Sequence, residues 1–492
     1  MVKSTSSESN LWRMTWDEAL KATGGQRLFA DLQAGLSGVH SFSGIATDTR
    51  EAMEGKLFVA LKGQQFDAHQ FLAGAVQQGA AGLLIHCDPE QLPTLIGQEL
   101  WDQCYQKVVL IQVPDTLRGL QDLAHYWRRC WPMKVIAVSG SNGKTTTKEF
   151  LYELLKGEVR VHASQASFNN HWGVPISLLQ ASPDTQWVIQ EMGMNHLGEL
   201  TRLCEIADPD VALVTMVGQA HIGELGDQNK VAQAKEELYI ASPRAVHIFN
   251  MDNEWTRAMY GRHQEQQPEV RRLTFSSFSK TADVSLRAES ITLAELQLTG
   301  VIGGVEGQVR VPVSGRQNVV NLMAASAAAL AVGLSPETIW AQLPKCRTGW
   351  GRHELIQIKN GVQVLFDAYN ANPESMKALL NNLFEWGTEG RKVAVLGEMF
   401  ELGDDSERLH RELGEAVALV GVDEVWFMGP HHRDFEAGLK QGGFSKKYVL
   451  SEAYEQSLAF QMGSVLNPGD VAIIKGSRAM KMERVLADWQ SL

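Results

Sequence analysis

The stretch VIAVSGSNGKTTTKEF, residues 135–150, sets a lysine and three threonines between an apolar run and a helical pattern. Those residue types bind phosphate. The common phosphate loop places four residues between its first glycine and the Gly-Lys pair. Here Gly140 is followed by only Ser141 and Asn142 before Gly143, Lys144, Thr145 and Thr146. An apolar strand precedes the loop, and Phe150, Leu151, Leu154 and Leu155 continue as a helix after it. Backbone N–H groups at a helix amino terminus attract an anion, and the helix dipole adds to that attraction. Lys144 can reach outer phosphates and the Thr145 hydroxyl can ligate magnesium. The competing reading is a structural turn with a surface lysine; the strand–loop–helix context favours nucleotide.

Further polar residues follow other apolar runs. QWVIQEMGMNHLGEL puts Glu191 just past one run, and VALVTMVGQAHIGELG puts His221 beyond another. In an open parallel sheet, ligands sit at the carboxyl ends of the strands, so both residues can face the loop's crevice. A carboxylate suits magnesium and histidine is a less usual ligand for it. Taken singly, Glu191 also reads as a solvated strand end and His221 as a loop histidine. Lys235, beside Glu236 and Glu237 in KVAQAKEELYIAS, reads as a solvated helix face.

Three segments must position these groups. Residues 1–113 mix short strands (GKLFVALKG, AAGLLI, KVVLIQV) with helices. Residues 114–314 open with a helix capped by Asp115 or Thr116. They continue as Val/Ile-rich runs (KVIAVSG, QWVIQEMG, DVALVTMVG, AVHIFNMDN) separated by helical patterns, which predicts a parallel sheet; the stretch 281–313 reads as antiparallel hairpins. Residues 315–492 start with an alanine-rich helix closed by Gly333, and Ser335-Pro336 starts the next. The strands VQVLF, KVAVLG, EVWFMG and DVAIIKG follow. The expected fold is α/β in three domains: a small mixed domain, a central parallel-sheet P-loop domain and a carboxy-terminal Rossmann-like domain.

The bulk numbers narrow the function. With 492 residues and a net charge of −12, and with no long basic run, the chain is not expected to bind nucleic acid or insert in a membrane. Five cysteines without CxxC spacing predict reduced, mostly buried thiols. The amino terminus lacks the apolar core of a signal peptide, so the expected location is cytoplasmic. The pattern offers no account of the thirteen tryptophans.

With these residues placed, the whole chain resembles the Mur ligase family, the ATP-dependent amide-forming enzymes of peptidoglycan synthesis. Gly-x-x-Gly-Lys-Thr/Ser is that family's form of the loop. ATDTREAMEGKLFVALKGQQFDAHQF is similar to the family's UDP-sugar domain, which implies Thr49 and Arg50 as contacts. FNNHWGVPISLL implies Asn169 and Asn170 near the reacting phosphate. The resemblance implies Glu191 as ligand of one magnesium, His221 at a second, and Lys235 as a lysine carbamate. GRQNVVNLMAASAAA implies Asn318 and Asn321 as adenine contacts; Arg352 and Asp367 match nucleotide contacts. DAYNANPESM, with Asn370 and Asn372 on the substrate side, favours the branch that joins D-alanyl-D-alanine to UDP-N-acetylmuramoyl-tripeptide. In IIKGSRAMKMERV, Lys475 and Ser477 match the amine-substrate side. Gln317 stands where a histidine is common, and Ala68 where a glycine is. The implied cofactors are ATP and two magnesium ions, and the implied state is a monomer. The alternatives are a sister ligase that adds a single amino acid and a nucleotide-gated binding protein.

Overall fold

The computed structural model describes residues 12–29, 40–63, 66–105, 107–165, 167–218, 225–358 and 361–492. The chain divides into two compact units. One comprises Met1–Ala137, Val159–Met192 and Thr201–Asp210; the other comprises Val138–Glu158, Gly193–Leu200 and Val211–Leu492.

In the first unit a five-stranded sheet runs in the order Gln26–Leu28, Val109–Gln112, Gly82–Ile85, Leu57–Val59, Ile45–Ala46. Its first strand is antiparallel and the rest are parallel. The inner strands are buried along nearly their whole length, as a sheet covered on both faces requires. The helix Thr116–Cys130 begins where Asp115 accepts hydrogen bonds from the Leu117 and Arg118 N–H groups at 2.7 and 3.2 Å. Its apolar stripe carries Trp127 into an aromatic group with Trp12 and Trp131, and Trp12 and Trp16 pack on Phe42. Two of these tryptophans, Trp16 and Trp127, are buried core, and Trp12 and Trp131 pack half-buried beside them. The strands Val161–Ala163 and Trp187–Glu191 pair in parallel.

The second unit holds the parallel strands Val211–Val214, Val246–Asn250 and Arg272–Phe275. The last leads into an antiparallel ribbon, Val284–Ile291, Leu296–Ile302 and Val305–Val311, where the hairpins were expected. The alanine-rich helix Arg316–Val332 is buried on most of its circumference and ends at Gly333, whose φ of 106° only glycine adopts without strain. Small side chains let it pack closely on the helix Lys144–Leu155.

A six-stranded sheet follows in the order Glu354–Gln357, Gln363–Phe366, Val471–Lys475, Lys392–Gly397, Glu424–Met428, Lys447–Ser451. Only the first strand is antiparallel. Successive side chains of a strand point to opposite faces. Ala394, Leu396 and Ile473 therefore enter one core with the helices Pro373–Glu385, Ser406–Val420 and His432–Gln441. Val393, Val395 and Ile474 enter another with the helices Gln456–Ser464 and Glu483–Ser491. This is the doubly wound arrangement expected of the carboxy-terminal segment. Among the described residues no helix is long and apolar enough to cross a membrane.

The cysteines depart from expectation in part. Cys204 and Cys346 are buried, but Cys130 is exposed and Cys87 half-buried. The RRCWP sequence ends its helix, and a residue at a helix end loses the cover of the next turn.

Candidate active site

The loop is shaped by two glycines. Gly140 has φ 144°, and a Cβ there would lie 1.9 Å from Thr215 Oγ1. That close approach lets the Thr215 hydroxyl donate to the Asn142 carbonyl at 2.6 Å. Ser141 N–H donates to the Met216 carbonyl at 2.9 Å, and Gly218 N–H to Ser141 Oγ at 2.8 Å, so the loop is tied to the segment after the strand Val211–Val214. Gly143, at φ 84°, turns the chain into the helix Lys144–Leu155, whose amino terminus has no side-chain cap among the described residues. A helix start of this kind turns backbone donors toward an anion. Lys144 Nζ folds over the loop and donates to the Gly140 carbonyl at 2.6 Å.

Side chains from the carboxy-terminal segment converge on this loop. Asn142 is gripped twice: its Nδ2 donates to Glu374 Oε2 and its Oδ1 accepts from Asn372 Nδ2, each at 2.8 Å. Asn372 and Glu374 start the helix Pro373–Glu385, and Asn372 also caps it through the Ser375 N–H. Arg352 donates to Thr145 Oγ1 at 3.0 Å, and its guanidinium lies 3.9 Å over the Tyr369 ring. Thr147 Oγ1 donates to Asn321 Oδ1 at 3.4 Å, and Asn321 in turn donates to Asn318 at 3.0 Å. Gln317 bridges His353 and Asn382. Asp367 accepts from Lys475 Nζ at 2.6 Å and from the His353 N–H at 3.0 Å, while Lys475 also donates to the Asn370 carbonyl. Ser477 Oγ accepts from the Phe400 N–H at 2.9 Å.

Lys235 overturns its reading as a solvated helix face. It is only 1% exposed on the helix Gln228–Ile240. Burial pulls its pKa well below the ordinary lysine value, the nearby charge of Lys144 pulls the same way, and Glu374 opposes them. The flanking Glu236 and Glu237 point elsewhere, to Arg262 and to the Gly198 N–H.

In the first unit Glu191 is likewise buried, not solvated, at 1% exposure, and accepts from Asn169 Nδ2 at 2.7 Å. Asn170 is turned toward its own chain, accepting from the Gly173 N–H at 2.9 Å at the start of the helix Gly173–Gln180. Thr49 adjoins an exposed Arg50, whose guanidinium and Nε embrace Asp48. That pair holds the Asp48 carboxyl at about 2. His221 lies outside the described residues.

The second unit thus brings together the loop, Asn318, Asn321, Arg352, Asn372 and the buried Lys235. Lys475, Asp367 and Asn370 form a neighbouring cluster at the carboxyl ends of the strands Gln363–Phe366 and Val471–Lys475. Sequence reasoning missed Tyr369 and Glu374. Both lie in DAYNANPESM, where a pre-proline asparagine marks a helix start but gives no sign of what packs on it.

A glycine-shaped helix start with a lysine folded over its loop is the equipment of an α/β nucleotide-binding protein. The chain belongs to the Mur ligase family: residues 138–329 match the Mur ligase middle domain, and residues 351–478 match the Mur ligase, glutamate ligase domain. UDP-N-acetylmuramoyl-tripeptide–D-alanyl-D-alanine ligase of Bacillus subtilis (strain 168) is 32% identical over 451 residues, 90% of this chain and 92% of its own. The Escherichia coli (strain K12) protein of that name is 32% identical over 450 residues, with the same coverage of both chains. A crystal structure of MurF from Acinetobacter baumannii superposes with a TM-score of 0.84 at 29% identity, covering 98% of this chain and all of that one. MurF ligase from Thermotoga maritima in complex with ADP superposes with a TM-score of 0.76 at 26% identity, over 91% of this chain and 97% of that one.

Proposed function

We propose that this protein is the ATP-dependent ligase that joins D-alanyl-D-alanine to UDP-N-acetylmuramoyl-tripeptide, in peptidoglycan precursor synthesis in the cytoplasm. The observation that carries the reading is the shaped loop gripped by carboxy-terminal side chains, in a chain similar over 90% of its length to a ligase of that name. The proposed domain boundaries fall near residues 113 and 314.

The tripeptide carboxylate attacks the γ-phosphorus of ATP, the bond to the β-phosphate oxygen breaks, and ADP leaves. The amine of the dipeptide then attacks the acyl carbon, loses a proton, and phosphate departs as the amide forms. The first step brings two anions together, so positioning and charge neutralisation dominate. Lys144 and the N–H groups of its helix hold the phosphates. Arg352, braced on Tyr369, faces the same helix turn through Thr145. Asn318 and Asn321 hold the adenine side, Asp367 the ribose, and Asn169 and Asn170 the reacting phosphate. Thr49 and Arg50 hold the UDP sugar. Asn370, Asn372, Lys475 and Ser477 line the amine substrate.

The oxygen atoms of Thr145 and Glu191 are of the kind magnesium prefers. Thr145 and Glu191 would hold one ion, and His221 with Lys235 as its carbamate a second; the ions would neutralise charge between the two anions. A carbamate requires a neutral lysine amine, and burial shifts Lys235 toward that form. Exclusion of water by the carboxy-terminal segment would protect the acyl phosphate.

Phosphate release from ATP and magnesium tests the reading, measured with UDP-N-acetylmuramoyl-tripeptide, with and without D-alanyl-D-alanine. Release that needs both, with a product heavier by the dipeptide, is expected. Release restored by a single amino acid instead would make it a sister ligase.

A further inference from the structure

The carboxyl edge of the six-stranded sheet holds a second polar group that the reaction above does not use. Glu398 follows the strand Lys392–Gly397, and His431 follows the strand Glu424–Met428. Glu398 is 2% exposed, and its Oε1 lies against His431 Nδ1 and 3.3 Å from His410 Nε2. The backbone is shaped to admit it: Gly429 sits at φ 150°, and a Cβ there would lie 2.3 Å from Glu398 Oε2. The His431 N–H donates to that same oxygen at 3.3 Å.

The hydrogen bonds assign the tautomers. His410 Nδ1 faces the Ser406 carbonyl at 2.8 Å and therefore carries the proton; its Nε2 accepts from the Met399 N–H at 3.1 Å. Burial further disfavours a charge on His410. Both of its nitrogens are committed, and its ring stacks 4.7 Å from the His431 ring at an angle of 7°. A metal ion between the two rings is therefore disfavoured, since their in-plane lone pairs run in parallel planes. Glu398 is left to hold the His431 Nδ1–H. A carboxylate on one ring nitrogen fixes the ring and presents the other, so His431 Nε2 is available in a side chain that is 29% exposed.

We propose that His431, held by Glu398, binds the terminal carboxylate of the dipeptide substrate. The inference rests on the ligase reading above. Three observations support it. Ligands of doubly wound sheets sit at the carboxyl ends of the strands. The dyad adjoins the amine-substrate side, because the Ser477 N–H donates to the Glu398 carbonyl at 3.0 Å. The helix His432–Gln441 starts at this point, and its positive end favours an anion over an ammonium. With both nitrogens protonated, the imidazolium is balanced from behind by Glu398 and donates Nε2–H to the ligand.

Strands lie about 4.8 Å apart, and His431 lies two strands beyond Lys475 along the edge.

The test compares D-alanyl-D-alanine with D-alanyl-D-alaninamide in wild type, His431→Ala and His431→Gln, by steady-state kinetics. Wild type should use the amide with a KM at least tenfold above that of the acid. His431→Ala should raise the KM for the acid about tenfold or more and narrow its advantage over the amide, with the KM for ATP unchanged. His431→Gln, which keeps a donor, should lie between. Equal use of acid and amide by wild type overturns the inference, as does an equal effect of His431→Ala on both. A fall in kcat with KM unchanged also overturns it, since that would mark a proton acceptor. If wild type ligates neither compound to the tripeptide, it is the ligase reading that has failed.

Discussion

Asn142→Ala probes how the carboxy-terminal segment holds the phosphate loop. The change removes a donor to a carboxylate and an acceptor for an amide, each at 2.8 Å. A hydrogen bond to a charged partner contributes about 1.5–3 kcal/mol and a neutral one about 0.5–1.5 kcal/mol. Glu374 and Asn372 are both half-buried, so water recovers part of the loss and the lower ends apply, about 2 kcal/mol in all. Glu374→Ala removes the charged bond, whose share of the cost is about 1.5 kcal/mol. Asn372 is a poor second site for the cycle because it also caps its helix. The double variant should then fall short of the sum of the two single changes by a coupling of about 1.5 kcal/mol. Urea unfolding, compared at one denaturant concentration within the transition, measures it. Glu374→Gln keeps an acceptor and should retain about half the coupling. Additivity of the two alanine changes to within about 0.5 kcal/mol would refute the grip.

Other perturbations follow from the same geometry. Gly143→Ala forces a residue with φ 84° to carry a Cβ 2.3 Å from Asn321 Oδ1. The left-handed conformation costs about 1–2 kcal/mol before the clash is counted, so ATP affinity by calorimetry should fall at least tenfold; an unchanged affinity would show that the turn does not shape the nucleotide site. Lys144→Ala and Glu191→Ala should each abolish turnover while circular dichroism stays native, and near-normal activity in either would remove it from the mechanism. His353 and His247 are buried neutral with pKa values held at about 4 against an ordinary 6.5. The unfolded chain binds their protons first, so their contribution is intact above pH 6.5 and declines between 6.5 and 4, approaching about 1.4 kcal/mol per pH unit for each. His247→Gln should flatten that slope in urea melts at pH 7 and pH 5; an unaltered slope would assign the pH dependence elsewhere.

The parts of this molecule that obey local rules were legible in its residues. The strand before Gly140, the Asp115 and Ser335 caps, the Gly333 stop and the hairpins past residue 281 all stand where periodicity and turn chemistry put them. Burial of single charged residues was not legible. Lys235 sits in a helix as polar as a surface helix, and only packing reveals that it is buried while its half-buried flanking glutamates turn to other partners. The grip on Asn142 joins residues 230 and 232 positions apart, a separation at which local pattern carries no information. Tyr369 beneath Arg352 escaped for a related reason: an aromatic next to a turn reads as core until its cation is seen above it. The roles of Glu191 and Lys235 came from family likeness, and the structure adds that both are buried.

In the proposed reaction the tripeptide carboxylate becomes an acyl phosphate on this loop before the amide forms. Labelling that carboxylate with oxygen-18 tests it directly. The phosphate released during ligation of D-alanyl-D-alanine should carry one labelled oxygen, read by mass spectrometry. Unlabelled phosphate released alongside amide product would contradict the account.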